Sequence, residues 1–376
     1  MNLSYYVRIG CGAALAGLLA GDAFADISAF NAAVKAGNYK AAAAEAKGVW
    51  ASWNPSDPDT ATVAREFGFA SYVSGDYGAA RDYGYFLKDK GATLAKPDDQ
   101  PATSRVLLAA ASFRLAANDA TRAELSEALK AREAAPGLDS MSMLASEALY
   151  KADWAAGRWR DAGASGMMAY RILSRGGDSL AARAFEARTT AGAGDFLGQR
   201  DKTDYDTMID THDAIIDAID TAADPKRRQA LVNLSFTAKA WAQSIFAFFD
   251  SVQQTGSSIP VRVKYREMKR PQKPFFDSGD GAAAEWCELE VNARAIDYPS
   301  SPLFNGMVGT VIVRLDLDEN GRVSNAQTLA AVPAKHFSEA VMDAAPNFRF
   351  VRASKAAPGC SVARKDYVFT ISFLMG

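Results

Sequence analysis

Few residues of this 376-residue chain are of types that carry out covalent or metal chemistry. The two histidines, His212 and His336, stand in separate parts of the chain. No H-E-x-x-H, G-x-S-x-G, P-loop or C-x-x-C pattern occurs. The usual signatures of zinc hydrolysis, nucleophile-elbow acyl transfer, phosphate cradling and dithiol exchange are therefore missing. Gly192-Ala-Gly194-Asp-Phe-Leu-Gly198 is glycine-rich, but it follows no predicted strand and so lacks the context of a dinucleotide loop. Asp316, Asp318, Asn320 and Gly321 fit the first half of a calcium loop, with apolar Val323 in place. The twelfth position is Gln327 instead of a bidentate Glu, and both flanks read as strands. An Asp/Asn/Gly hairpin turn explains the same letters. The reading is a chain with no catalytic residue, no metal site and no cofactor.

Two charged runs stand out in the sequence. Asp206, Asp210, Asp213, Asp217, Asp220 and Asp224 recur at steps of four and three, which places them on one helix face. That face reads as solvated, with docking of a basic partner as the alternative. Ile209, His212, Ile216 and Ile219 share another face, so His212 reads as a packing residue. Residues 262–273 hold six basic residues and one acidic residue. Ile259 to Arg266 alternates apolar and basic, which predicts a strand with one wet face. Its cations read as a solvated edge that discourages pairing, with contact to anionic lipid or peptidoglycan as the alternative.

The cysteines depend on compartment. Residues 1–25 have the form of a secretory signal: Arg8, an apolar stretch from Ile9 to Ala20, and Ala23-Phe-Ala25 before Asp26. Cleavage between Ala25 and Asp26 is expected, with an uncleaved anchor as the alternative. The exported chain keeps Cys287 and Cys360. An even pair in an oxidising compartment favours a disulfide over two buried thiols. Such a bridge would close a loop of about 70 residues and is worth about 4 kcal/mol at most.

The elements that position these residues fall into blocks. Hydrophobic residues make up 49% of the chain and charged residues 23%, so a folded core is expected. A net charge of −2 gives no field that would draw nucleic acid or a membrane surface. From residue 26 to 200 a pattern recurs: Gly37-Asn-Tyr39, Gly75-Asp-Tyr77 and Gly157-Arg-Trp159, each followed by alanines, with a weaker copy at Asn118-Asp119. Gly194-Asp-Phe196 is a degenerate fifth copy. A glycine that turns left-handed, an aromatic wedge and small residues at a helix start are what stacked antiparallel helix pairs require. The pattern resembles the tetratricopeptide repeat, with longer loops than the nominal period. Residues 201–255 read as two longer helices, and Gln253 to Ser258 as a linker.

From Tyr298 to Met375 the pattern changes. Val311, Val313, Leu315 and Leu317 alternate, Asp318-Glu-Asn-Gly321 turns, and Val323 resumes the alternation. A short helix runs from His336 to Ala345. Phe348-Arg-Phe350 and a loop follow, and then a last alternating strand, Tyr367 to Phe373. This order, with Tyr298-Pro299 at its entry, resembles the TonB C-terminal domain. The departures are His336-Phe337 before the helix, Pro346 after it, and Cys360 in the final loop.

The whole is therefore expected to be multidomain. A tetratricopeptide-like all-α array (26–200) and a helical extension (201–255) precede a small α+β domain of order β-β-α-β (256–376). The resemblance implies a protein-binding module. It adds an extended peptide to its sheet along the last strand: Asp366, Tyr367, Val368, Phe369, Thr370, Ile371, Ser372 and Phe373. The expected partners are proteins or peptides of the envelope, an outer-membrane receptor among them, and the expected location is the periplasm. Membrane association is expected only if the N-terminal segment is retained. Two rival readings remain: an anchored energy transducer of the TonB type, and a peptidoglycan-associated structural protein.

Overall fold

The computed structural model describes residues 27–254, 263–276, 286–292, 296, 299, 308–332, 336–356 and 359–373. The signal segment with Ala25 and Asp26, the heart of the expected linker, and Tyr298 lie outside these residues. The chain forms two compact units, one ending at Leu180 and one beginning at Ala181. The array boundary expected at residue 200 falls inside the second.

The first unit is built of helix hairpins. They are α1 (Ser28–Lys35) with α2 (Tyr39–Ala51), α3 (Thr60–Ser74) with α4 (Tyr77–Lys90), α5 (Pro101–Leu115) with α6 (Asp119–Ala134), and α7 (Ser140–Ala155) with α8 (Trp159–Ser174). The recurring turn works as its residue types require. Gly37, Gly75 and Gly157 have φ of +72°, +90° and +68°, a region glycine enters without a Cβ penalty. The next residue caps the second helix: Asn38, Asp76 and Asn118 accept the amides of Ala41, Ala79 and Thr121 at 3.1, 3.1 and 3.0 Å. Arg158 takes that place in the last hairpin and makes no cap. The aromatic residue then packs on a ring of a first helix: Tyr39 on Phe69, Tyr77 on Tyr72, and Trp159 on Trp154, with centroids 6.0, 5.4 and 5.1 Å apart. The alanines after it, Ala42, Ala80 and Ala162, are fully buried. Asp153 is buried between hairpin helices, where Arg122 and Ser165 donate to it at 2.6 and 2.9 Å.

The second unit opens with α9 (Ala181–Gln199), α10 (Thr203–Thr221) and α11 (Pro225–Gln254). Gly194-Asp-Phe196 lies in the middle of α9, so it starts no fifth hairpin. Its neighbours continue helical hydrogen bonding, and Phe196 packs on Phe248 of α11 at 5.5 Å. His212 is buried, as its apolar face predicts, with Nδ1 3.1 Å from Asp213 Oδ1. Burial pushes its pKa down against the pull of Asp213.

Two sequence expectations are corrected together. Of the strand expected over Ile259 to Arg266, residues 259–262 lie outside the described residues and 263–266 form no strand; the aspartate face of α10 is not simply solvated. The segment lies along that face instead. Arg266 reaches Asp210 at 2.6 Å and Asp213 at 3.6 Å, and Lys269 pairs with Asp217. The amides of Lys269 and Gln272 donate to Asp213 and Asp220 at 2.9 and 3.0 Å. The Tyr205 hydroxyl accepts the Arg266 amide at 3.1 Å. Geometry explains the fit. Seven helical residues rise about 10.5 Å, and three extended residues span about the same distance. A cation or amide every third residue therefore meets a carboxylate every seventh.

The C-terminal part has a three-stranded antiparallel sheet of order β3-β2-β5: β2 (Gly309–Leu317), β3 (Val323–Val332) and β5 (Arg364–Phe373). Between β3 and β5 come α12 (His336–Ala344), a 3-10 turn through Pro346, and β4 (Arg349–Arg352). That turn absorbs the proline and delivers Phe348 to the core. β4 pairs with β1 (Leu289–Asn292), so the Phe348-Arg-Phe350 stretch feeds a second, two-stranded sheet. β1 is four residues long.

The two faces of β2 are covered differently. Val311, Val313, Leu315 and Leu317 join Phe337, Val341, Phe348, Phe350 and Phe373 in one core. Phe337 lies against Gly309, where a Cβ would sit 2.4 Å from its ring, so only glycine admits it there. The opposite face meets α11, where Ser244 Oγ donates to Thr310 Oγ1 at 3.0 Å. No described helix is long and apolar enough to cross a membrane.

Candidate functional site

The strand expected to receive a peptide lies at the edge of its sheet. β5 pairs with β2 on one side, and among the described residues no strand pairs with it on the other. Its side chains alternate by register. Tyr367, Phe369, Ile371 and Phe373 stand opposite Leu315, Val313, Val311 and Gly309, over the apolar core. Val368, Thr370 and Ser372 stand opposite Arg314, Ile312 and Thr310, on the α11 side. The outward backbone groups of Tyr367 to Phe373 form the kind of row that can template another strand.

Asp366 differs from the other seven. Its φ is +57°, and it forms a bulge opposite Asp316. Its amide donates to Asp316 Oδ1 at 3.0 Å, and its carboxylate lies 3.4 Å from Arg314. It closes the edge instead of presenting it. The bulge also shifts the register, so Arg364 and Tyr367 oppose Leu317 and Leu315 and share one face.

Above the bulge the chain is tied down. Cys287 and Cys360 form a disulfide across Cα atoms 4.9 Å apart. The Cys287 amide donates to the Ser361 carbonyl at 3.1 Å, and Trp286 bridges Ser361 in parallel. Two guanidiniums close over the cysteine carbonyls: Arg364 on Cys287 at 2.7 Å and Arg352 on Cys360 at 3.1 Å. Arg364 is also stacked between Trp286 and Tyr367, 5.5 and 5.0 Å from their centroids. Tyr367 and Phe369 rest on Phe350 at 5.5 and 5.2 Å. Burial pushes the Tyr367 hydroxyl pKa up and the Arg364 guanidinium pKa down.

The carboxylates of the calcium-loop reading are occupied within the hairpin. Asp318 Oδ1 accepts the amides of Asn320 and Arg322 at 2.9 and 2.8 Å. Asp316 accepts from Asn325 and Asp366. No group of three or more His, Cys, Asp or Glu suited to a metal ion occurs among the described residues.

This edge lies in the stretch that comparison with known proteins picks out. Residues 294–371 match the family model described as Gram-negative bacterial TonB protein C-terminal. The stretch also resembles Protein TonB of Yersinia enterocolitica, 39% identical over 79 residues. That alignment covers 21% of this chain and 28% of the relative, so the chain spans well under a third of the protein it resembles. No solved structure matches the chain. The TonB C-terminal-like domain thus accounts for β2 through β5, and the helices before it stand outside the match.

Two features were not read from the sequence. Trp286 and Arg364 flank the cysteines, and a Trp next to one cysteine with an Arg after the other was the available signal. Arg266 and Lys269 were visible within a basic run, but their three-residue spacing, continued by the Gln272 amide, was not set against the seven-residue spacing of the aspartates.

Proposed function

We infer that the chain is a non-enzymatic adaptor of the bacterial cell envelope. The TonB C-terminal-like domain binds an extended peptide or protein segment along β5, from Tyr367 to Phe373, by strand addition. The helix hairpins, read as tetratricopeptide-like, offer a second surface to a different protein. The single observation that carries this reading is the β5 edge inside the TonB-like stretch, which no strand pairs with among the described residues. Export through residues 1–25 to the periplasm fits the disulfide, because such bonds persist in oxidising compartments.

A photo-crosslinking amino acid placed in turn at Thr370 and Ser372 tests the proposal in cells. Adducts with one defined envelope protein are expected from both positions. Adducts from neither position, with the protein folded and exported, would sink the edge-docking reading.

The match to Protein TonB favours a second reading, an energy transducer held at the membrane by an uncleaved N-terminus. Mass spectrometry of the purified chain separates the two. A mature chain beginning at Asp26 supports the adaptor, and an intact Met1 supports the transducer.

A further inference from the structure

The Trp286, Arg364 and Tyr367 cluster stands at the end of the docking edge and has unspent bonding capacity. Trp286 is 54% exposed, an unusual cost for the largest apolar side chain. Among the described residues Arg364 meets no carboxylate. Its one hydrogen bond there goes to the Cys287 carbonyl; its Nε is buried without an acceptor, so any donors it offers outward are the terminal nitrogens. Arg352, on the other cysteine carbonyl, likewise has no carboxylate within ion-pair reach in the described chain. Three other buried or partly buried arginines pair with acids, Arg65 with Asp98, Arg122 with Asp153 and Arg132 with Asp139, whereas Arg228 and Arg349, like Arg364, bond backbone carbonyls. The disulfide and the Trp286–Ser361 bridge hold the cluster in place beside β5.

We propose that this cluster is a carboxylate-recognition subsite for the peptide that docks on β5, selecting an extended partner with an Asp or Glu beside Arg364. This rests on the edge-docking reading above. The chemistry is complementary at each contact. A guanidinium presents its donors as a planar fork that a carboxylate can meet with two bonds, and here two rings lie within 5.5 Å of it. The Tyr367 hydroxyl lies on the same face. Trp, Tyr and Arg are the residue types that concentrate binding energy at interfaces. The Asp366 bulge sets the register, because it brings Arg364 and Tyr367 onto one face at the point where regular pairing begins.

The test uses the full oxidised chain and a phage-displayed library of random decapeptides. The selected peptides are expected to carry Asp or Glu at one fixed position and to photo-crosslink to residues 367–373. Replacing that acid by its amide should weaken binding to the wild-type chain about tenfold or more. Arg364→Gln should weaken the acidic peptide by a similar factor and by clearly more than it weakens the amide peptide. Arg364→Lys keeps the charge but loses the fork, and should fall between. Circular dichroism and melting of both variants show whether the fold is kept, and the amide substitution on the peptide leaves the protein untouched. Peptides that crosslink to β5 but bind equally as acid and amide overturn the subsite and leave edge docking standing. Failure to select any peptide that crosslinks to β5 overturns both.

Discussion

Gly321 offers a test of how the C-terminal core is assembled, and Gly359 is its control. Both lie in the second unit with positive φ, +68° and +80°. Around Gly359 an added Cβ would meet nothing within 4 Å, whereas at Gly321 it would sit 1.8 Å from the Phe350 carbonyl oxygen. Alanine at either position incurs the left-handed penalty of about 1–2 kcal/mol. At Gly321 the hairpin turn must also move away from Phe350, whose amide donates to the Gly321 carbonyl at 2.9 Å. Losing that bond and leaving the amide unsatisfied adds about 1–3 kcal/mol. Gly321→Ala should therefore cost about 2–5 kcal/mol, and Gly359→Ala only about 1–2 kcal/mol. Urea unfolding of the oxidised proteins, followed by far-ultraviolet circular dichroism, measures both. Equal losses would refute the claim that the turn is wedged against Phe350.

Reducing the Cys287–Cys360 bridge, which spans 73 residues, should lower the stability of the second unit by up to about 4 kcal/mol, read as a shift in the urea midpoint with and without reductant. Raising salt to about 1 M, where screening acts over about 3 Å, should speed hydrogen exchange at the Lys269 and Gln272 amides with little change in melting temperature, because exposed ion pairs contribute little stability. Unchanged exchange would mean that the segment is held by something other than the α10 aspartates. Asp204 has its pKa raised to about 6, chiefly by burial and then by Asp195. A carboxyl that holds its proton more tightly folded than unfolded favours the fold below about pH 4 and loses that contribution as pH rises through about 6. Asp204→Asn should flatten the fall in stability across that window, and an unchanged slope in pH-dependent melting would exclude the pair.

What was legible in the sequence was local. Gly75-Asp76-Tyr77 names a turn because each residue acts within a few positions of itself: a left-handed glycine, a cap on Ala79, a ring on Tyr72. Asp318 to Gly321 is the same kind of signal for a hairpin, and the alternation of Val311 to Leu317 gives its buried face. Gly194-Asp-Phe196 copied the letters of a turn but sits within the uninterrupted helix of α9, and there Phe196 packs against α11. β1 and β4 are four residues each, too short for a period to stand out, and they are specified by pairing with each other.

The charged runs went unread for a different physical reason. Neither residues 262–273 nor the aspartates of α10 announce a partner, because ionic complementarity between distant segments has no local period. Taken singly, the acidic face reads as wet and the basic run as free to seek an anion. Set together, three residues of extended chain match two turns of helix, and each run answers the other. The same argument gives Arg364 its weight. Arg266 and Lys269 of the basic run are satisfied inside the chain. Among the described residues Arg364, at the end of the β5 edge and close to two aromatic rings, meets no acid, and a partner's carboxylate is what would complete it.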